Sequence, residues 1–139
     1  SELEARLADA EAGVRSAVVA LRKVAHGLFP AVLAEEGLAA ALEELSEQVP
    51  RLVPRALSPG RFPSEVESAA YFATVESLLE TDHNVTVDAV TEHGRLRLVI
   101  GAGDQSDSTM VQIQDRVGAV GGTATLCDGL LRVEMPCAS

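Results

Sequence analysis

Residues 22–45 read RKVAHGLFPAVLAEEGLAAALEEL, and this stretch decides the fold. A charged helix runs into Gly27-Leu28-Phe29-Pro30, turns, and restarts at Gly37 as GLAAALEEL. Gly27 reads as a C-cap, because glycine takes the left-handed conformation that closes a helix without a Cβ penalty. Pro30 has no N–H and cannot sit in the interior of the helix that follows. That second helix therefore begins at Pro30 or at Leu38 and ends near Gln48.

Upstream, Leu3, Leu7, Ala10, Val14, Ala17, Leu21 and Val24 alternate steps of four and three within one long helix over residues 2–26. A sustained a/d heptad is the coiled-coil pattern rather than the broader stripe of a globular helix. Glu2, Glu4, Arg6, Asp9, Glu11, Arg15 and Arg22 take the other faces. Gly13 weakens the helix by about 1 kcal/mol relative to Ala. A stripe of this length is an association surface, so a homodimer through residues 1–28 is expected, helix against helix about a two-fold axis.

Downstream, Pro50, Pro54 and Pro59-Gly60 punctuate the chain. Proline removes ladder donors, so residues 51–57 can form only a short edge strand. A boundary falls here, dividing a helical dimerisation segment, 1–48, from a second domain, 50–139. Ser64 followed by Glu67 reads as a capping box that opens a helix over residues 65–80. Val66, Ala69, Ala70 and Ala73 form one apolar face of it; Phe72, Val75 and Leu79 form another. A helix apolar on two sides is covered on both.

The period then changes to two. Val85, Val87 and Ala89 alternate with Thr86, Asp88 and Val90, His93-Gly94 turns, and Leu96, Leu98 and Ile100 continue a second strand. A polar loop, 101–108, leads to a helix over residues 110–120, with Ser108 or Thr109 as its N-cap and Gly121-Gly122 as its stop. Two last strands pair through Asp128-Gly129, a type I′ hairpin signal. The expected fold is an α/β (α+β) two-layer sandwich, a mixed sheet with helices on one face, preceded by a long coiled-coil-like arm.

Apolar residues make up 47% of the 139, enough for a core, but aromatics are only 3%, so Ala, Val and Leu must build it. The net charge is −10. No basic patch is visible, which argues against nucleic acid and anionic membrane as partners. Lys23 is the single lysine, and a polyphosphate site usually recruits cations, a metal or helix N-termini. Cys127 and Cys137 make no disulfide framework. No apolar run approaches the roughly 18 residues of a membrane span, and a cytoplasmic location is expected.

The order of these elements resembles sensor histidine kinases of two-component systems. In that family the dimerisation helices carry R-x-L-x-x-G-L-x-P followed by L-x-x-x-G-L-x-x-A-L, which residues 22–45 approximate. From Pro50 onward the chain resembles the Bergerat or GHKL ATP-binding domain shared by histidine kinases, gyrases, Hsp90-type chaperones and MutL-type proteins. Asp115-Arg116-Val117-Gly118-Ala119-Val120-Gly121-Gly122 is similar to the D-R-V-x-x-L-G-G that ends the last helix of this kinase type.

The resemblance implies specific nucleotide motifs, and this sequence departs from each. Where the family reads E-A-L-x-N, the chain has Glu76-Ser77-Leu78-Leu79-Glu80, so Glu76 matches and the Mg²⁺-holding Asn is Glu80. A carboxylate can bind Mg²⁺, but it brings a negative charge beside a triphosphate. Where D-x-G-x-G should meet adenine, the Asp falls at Ala102 and the glycines at Asp104 and Ser106; Gly101 and Gly103 restore the motif in neither shifted register. A buried amino group left without an acceptor costs about 1–3 kcal/mol. Where glycines should bare backbone N–H groups to phosphate, the chain has Thr109-Met110-Val111-Gln112-Ile113. His26, His83 and His93 are followed by Gly27, Asn84 and Gly94, so none has the His-acid pair of a phosphoacceptor.

These departures lead to the expectation of a pseudokinase: a signalling fragment with a vestigial cleft at Glu76, Glu80, Ala102, Gly103, Thr109 and Gln112. No catalytic residue is assigned beyond the vestigial Glu76, and no cofactor or metal is expected. It would act by dimerisation and signal relay, with a response regulator or a partner kinase as further partners. One alternative is an active kinase binding ATP with Mg²⁺ between Glu76 and Glu80. The other is a small-molecule sensor reusing the cleft.

Overall fold

A computed structural model describes residues 29–137. The heptad residues Leu3, Leu7, Ala10, Val14, Ala17, Leu21 and Val24, and with them the expected arm and dimer interface, lie outside the described residues, as does His26. The chain restarts twice rather than once: α1 spans Ala31–Glu36 and α2 Leu38–Gln48. Both starts offered by Pro30 and Leu38 are used. Gly37 separates them at φ +99°, a backbone conformation that glycine adopts without strain.

β1 (Leu52–Leu57) leads to α3 (Ser64–Glu80), then β2 (Val85–Glu92), β3 (Arg95–Gly101), α4 (Asp107–Gly118), β4 (Thr123–Cys127) and β5 (Leu130–Pro136). The five strands form one mixed sheet in the order β1-β2-β3-β5-β4. Only β1 and β2 run parallel; the other neighbours are antiparallel. β1 lies at an edge and its register slips between Pro54 and Leu57, where Asp88 Oδ1 accepts the Ala56 N–H at 3.1 Å. Both hairpin turns have two left-handed residues, His93-Gly94 (φ 53° and 74°) and Asp128-Gly129 (φ 54° and 76°), the type I′ geometry that matches strand twist.

The alternation read from the sequence sorts the sheet's faces. Val85, Val87, Ala89, Leu96, Leu98, Ile100, Leu131, Val133 and Met135 are buried on one face. α3 packs there, with Ala69, Ala70 and Ala73 fully buried; methyl side chains let the helix axis approach the strands closely. Positions 71–78 of α3 are all buried, because α2 and α4 cover the sides that the sheet does not. Thr74 and Ser77 tolerate this by donating their hydroxyls back to the Ala70 and Ala73 carbonyls at 3.0 and 2.8 Å. Leu33, Leu38, Ala41, Leu42 and Leu45 join the same buried cluster from α1 and α2.

The capping box at the start of α3 does not form. α3 begins at Ser64, one residue earlier than expected, and has no side-chain cap at Pro63. Glu67 is drawn elsewhere. Its Oε2 accepts the Leu38 N–H at 3.1 Å and Arg61 Nε at 3.2 Å, and its Oε1 accepts Arg61 Nη2 at 3.1 Å. A guanidinium and a buried amide outcompete a local backbone donor for one carboxylate. No helix among the described residues is long and apolar enough to cross a membrane.

Candidate functional site

Glu76 and Glu80 stand one turn apart on α3 and so share a face. α4 runs antiparallel to α3. Its first turn meets Glu80, while Arg116 near its other end lies over the Phe72 ring, 4.3 Å from the centroid. The expected N-caps Ser108 and Thr109 are not the cap. Ser106 is: its Oγ accepts the Thr109 N–H at 3.3 Å, and α4 starts at Asp107, three residues before the expected Met110. The same Ser106 Oγ donates to Glu80 Oε1 at 2.5 Å, and the Thr109 hydroxyl donates to that oxygen as well. One oxygen of Glu80 thus ties α3 to the first turn of α4.

The electrostatics of the two carboxylates diverge. Glu80 is held below the usual carboxylate range by the Ser106 hydroxyl, then by Thr109, against a smaller opposing effect of burial. Glu76 is pushed above it, first by burial and then by the charge of Glu80, with Arg116 opposing. An anion suits the positive end of a helix, and the N-terminus of α4 is where Glu80 sits. No group of three or more His, Cys, Asp or Glu among the described residues could hold a metal ion.

The segment between β3 and α4 is held at three points. The Gly103 N–H donates to the Gly129 carbonyl at 3.1 Å, fixing the segment to the β4–β5 turn. Gln105 Nε2 donates to the Ser77 hydroxyl at 2.8 Å, fixing it to α3. Ser106 fixes it to Glu80. Gln105 Oε1 is buried with no partner among the described residues.

Of the six residues singled out in the sequence, Glu76, Glu80 and Thr109 come together between α3 and α4. Ala102 packs half-buried against the core, Gly103 is exposed at the β4–β5 turn with φ +82°, and Gln112 is exposed on α4. His83 and His93 are surface loop residues, each side chain 89% exposed. Ser77, Gln105, Ser106 and Arg116 were not singled out as site residues. Ser106 carried a signal, a hydroxyl three residues ahead of Thr109, but Ser108 and Thr109 offered rival caps, and Glu80 decides among them from 26 residues away. A groove of about 360 Å³, lined in part by Phe29, Ser64, Ser68, Arg116 and Val120, lies at the opposite end of the α3–α4 pair.

No family model and no curated protein matches the chain in sequence. Solved structures do match in fold. The Acinetobacter baumannii histidine kinase AdeS aligns over 99% of this chain and 84% of its own length, with a TM-score of 0.53 and 11% identity. The Erythrobacter litoralis EL346 blue-light activated histidine kinase aligns over 98% of this chain, with a TM-score of 0.65 and 15% identity. This chain spans 61% of the EL346 chain. The mixed sheet and its helices therefore have a histidine-kinase-like fold.

Proposed function

We propose that the chain is a cytoplasmic signalling fragment of histidine-kinase type whose nucleotide site is closed, working by dimerisation and protein contacts with a response regulator or a partner kinase. The observation that carries this reading is the seat of Glu80. Its carboxylate lies on the N-terminus of α4, where Ser106 and Thr109 donate to it. In a fold that receives phosphate at a helix N-terminus, the chain's own anion takes that place. The residues present do not fit a triphosphate. Thr109 and Gln112 put side chains where backbone must approach phosphate, and the segment over the cleft is fixed to α3 and to the β4–β5 turn. Glu80 adds like charge to the incoming anion.

Titration of the chain with an ATP analogue, with and without Mg²⁺, tests this. Affinity weaker than about millimolar, near −4 kcal/mol, is expected; calorimetry showing micromolar binding would overturn the reading. The dimer is tested separately. Leu7→Glu with Leu21→Glu should give a monomer in sedimentation whose sheet domain stays folded, whereas a wild-type chain that sediments as a monomer across micromolar concentrations removes dimerisation from the proposal.

The alternative of an active kinase draws on one observation: the charge of Glu80 helps raise the pKa of Glu76, a repulsion that a divalent cation would relieve. Mg²⁺ raising nucleotide affinity at least tenfold, and losing that effect in Glu80→Gln, would favour it.

A further inference from the structure

α1 has six residues, and isolated helices below about a dozen residues are marginal in water. It has no side-chain cap at Pro30 and buries only Leu33. Two attachments nevertheless fix its direction. At its leading end Phe29 packs edge-on against Tyr71, ring centroids 6.3 Å apart, and lies beneath Arg116 at 5.6 Å. At its trailing end the Ala34 and Glu35 carbonyls, which lack partners within so short a helix, accept from Arg61 Nη2 at 3.0 Å and Nη1 at 3.3 Å.

Arg61 is itself held by Glu67, and Glu67 Oε2 also accepts the Leu38 N–H at the start of α2. One ion pair therefore closes the C-terminal end of α1 and the N-terminal end of α2, and roots both in α3. The bend between them leaves no slack. A Cβ on Gly37 would fall 2.7 Å from Arg61 Cδ and 3.1 Å from Glu67 Oε2, so the pair fills the space that a side chain would need. The two halves differ in access: the Arg61 side chain is 49% exposed and that of Glu67 is 2% exposed. The half that can move is Arg61.

We propose that the Arg61–Glu67 pair is a conformational clasp that locks the α1–α2 bend and so sets the direction of α1 against the sheet. In the closed state α1 and the sheet move as one body. Releasing Arg61 frees two carbonyls of α1 and takes the counter-charge from Glu67, which keeps the Leu38 N–H, so α1 loses its fixed direction while the sheet keeps its core. This device does not depend on whether nucleotide binds.

Nuclear magnetic resonance of the full chain tests it. Residual dipolar couplings from the amides of Ala31–Glu36 should fit the same alignment tensor as those of β2, β3 and β5. The Arg61 Nε–H signal should be protected from exchange. In Arg61→Lys the charge remains, but one ammonium cannot serve two α1 carbonyls and both Glu67 oxygens. The amides of α1 should then exchange at least tenfold faster, and the α1 couplings should leave the shared tensor, with β3 and β5 unchanged. Two results would overturn the proposal in that variant: unchanged α1 amides, which would assign the bend to packing alone, or uniform acceleration through β3 and β5, which would make the pair a global stabiliser. Should Arg61→Lys not fold, the wild type still decides. Couplings from α1 that do not share the sheet's tensor, or an Arg61 Nε–H that exchanges freely, rule the clasp out.

Discussion

The two ends of α3 each carry a carboxylate that binds the first turn of another helix, and they do so under opposite conditions. Glu67 serves Leu38 at the start of α2; Glu80 serves Ser106 and Thr109 at the start of α4. Glu67 is 1% exposed and has a guanidinium across from it. Glu80 lies nearer solvent and is satisfied by hydroxyls, with no ion pair to it among the described residues. A buried carboxylate must be fully paired, because leaving it or its partner amide unmade costs the whole desolvation penalty. A peripheral one can exchange protein hydroxyls for water at little cost. The first arrangement ties folding to one residue. The second leaves a joint that can be altered without loss of the fold, which is where a change of function is tolerated.

The largest expected effect follows from Glu67→Ala. It orphans the buried Leu38 N–H and empties a packed position, so unfolding in urea should show a loss of about 3 kcal/mol. Glu67→Gln, which keeps an acceptor for that amide, should lose less. If Glu67→Ala costs no more than the corresponding change at Glu80, the contrast between the two ends of α3 is wrong.

Ser106→Ala should come next, at about 1 kcal/mol, the usual loss for an N-cap serine. It also removes the donor that most depresses the pKa of Glu80. Hydrogen exchange should accelerate in residues 102–110 and stay unchanged in β3 and β5. Acceleration throughout the sheet would place Ser106 with Glu67 as a core residue rather than at a peripheral joint.

Much of the fold was legible because its signals are local. The period-two run from Val85 and the His93-Gly94 and Asp128-Gly129 turns each act within a few residues, and each strand stands where those residues put it. The Gly121-Gly122 stop misses by two residues: α4 ends at Gly118 with Ala119 as its C-cap, rather than at the expected Val120. The edge position of β1 was legible from Pro54. What failed was the assignment of polar side chains with two suitors. Ser64 and Glu67 have capping-box spacing, yet Arg61 and Leu38 claim the carboxylate, and Leu38 lies 29 residues away. Ser106, Ser108 and Thr109 are equivalent caps by composition until Glu80 is placed beside them. The candidate site was therefore half legible. Glu76, Glu80 and Thr109 converge, but the second donor to Glu80, Ser106, and the neighbouring Gln105–Ser77 bond come into reach only through the packing of α4 on α3.

The smallest expected effect is also the most specific, because Glu76 and Glu80 bend the pH profile in opposite directions. The folded pKa of Glu80 is depressed. Between that value and the ordinary carboxylate pKa, the unfolded chain binds more protons, so the contribution of Glu80 rises with pH and is fully present above the ordinary value. It is lost as pH falls through the folded pKa. The folded pKa of Glu76 is raised. Between the ordinary value and that raised one, the folded chain binds more protons, so stability falls as pH rises and the cost is complete above it. Urea midpoints from about pH 3 to 7, taken as variant minus wild type, separate the two effects. Glu80→Gln should remove the rising limb. It should also move the falling limb to lower pH, because the Glu80 charge is one cause of the Glu76 shift. Glu76→Gln should remove the falling limb and stabilise the chain near neutral pH. The Glu80 difference should stay within roughly half a kcal/mol, as fits a carboxylate near solvent and open to its screening. A Glu80→Gln profile parallel to wild type would mean that the Ser106 and Thr109 hydroxyls bind water rather than the carboxylate, and the joint between α3 and α4 would then be held by packing alone.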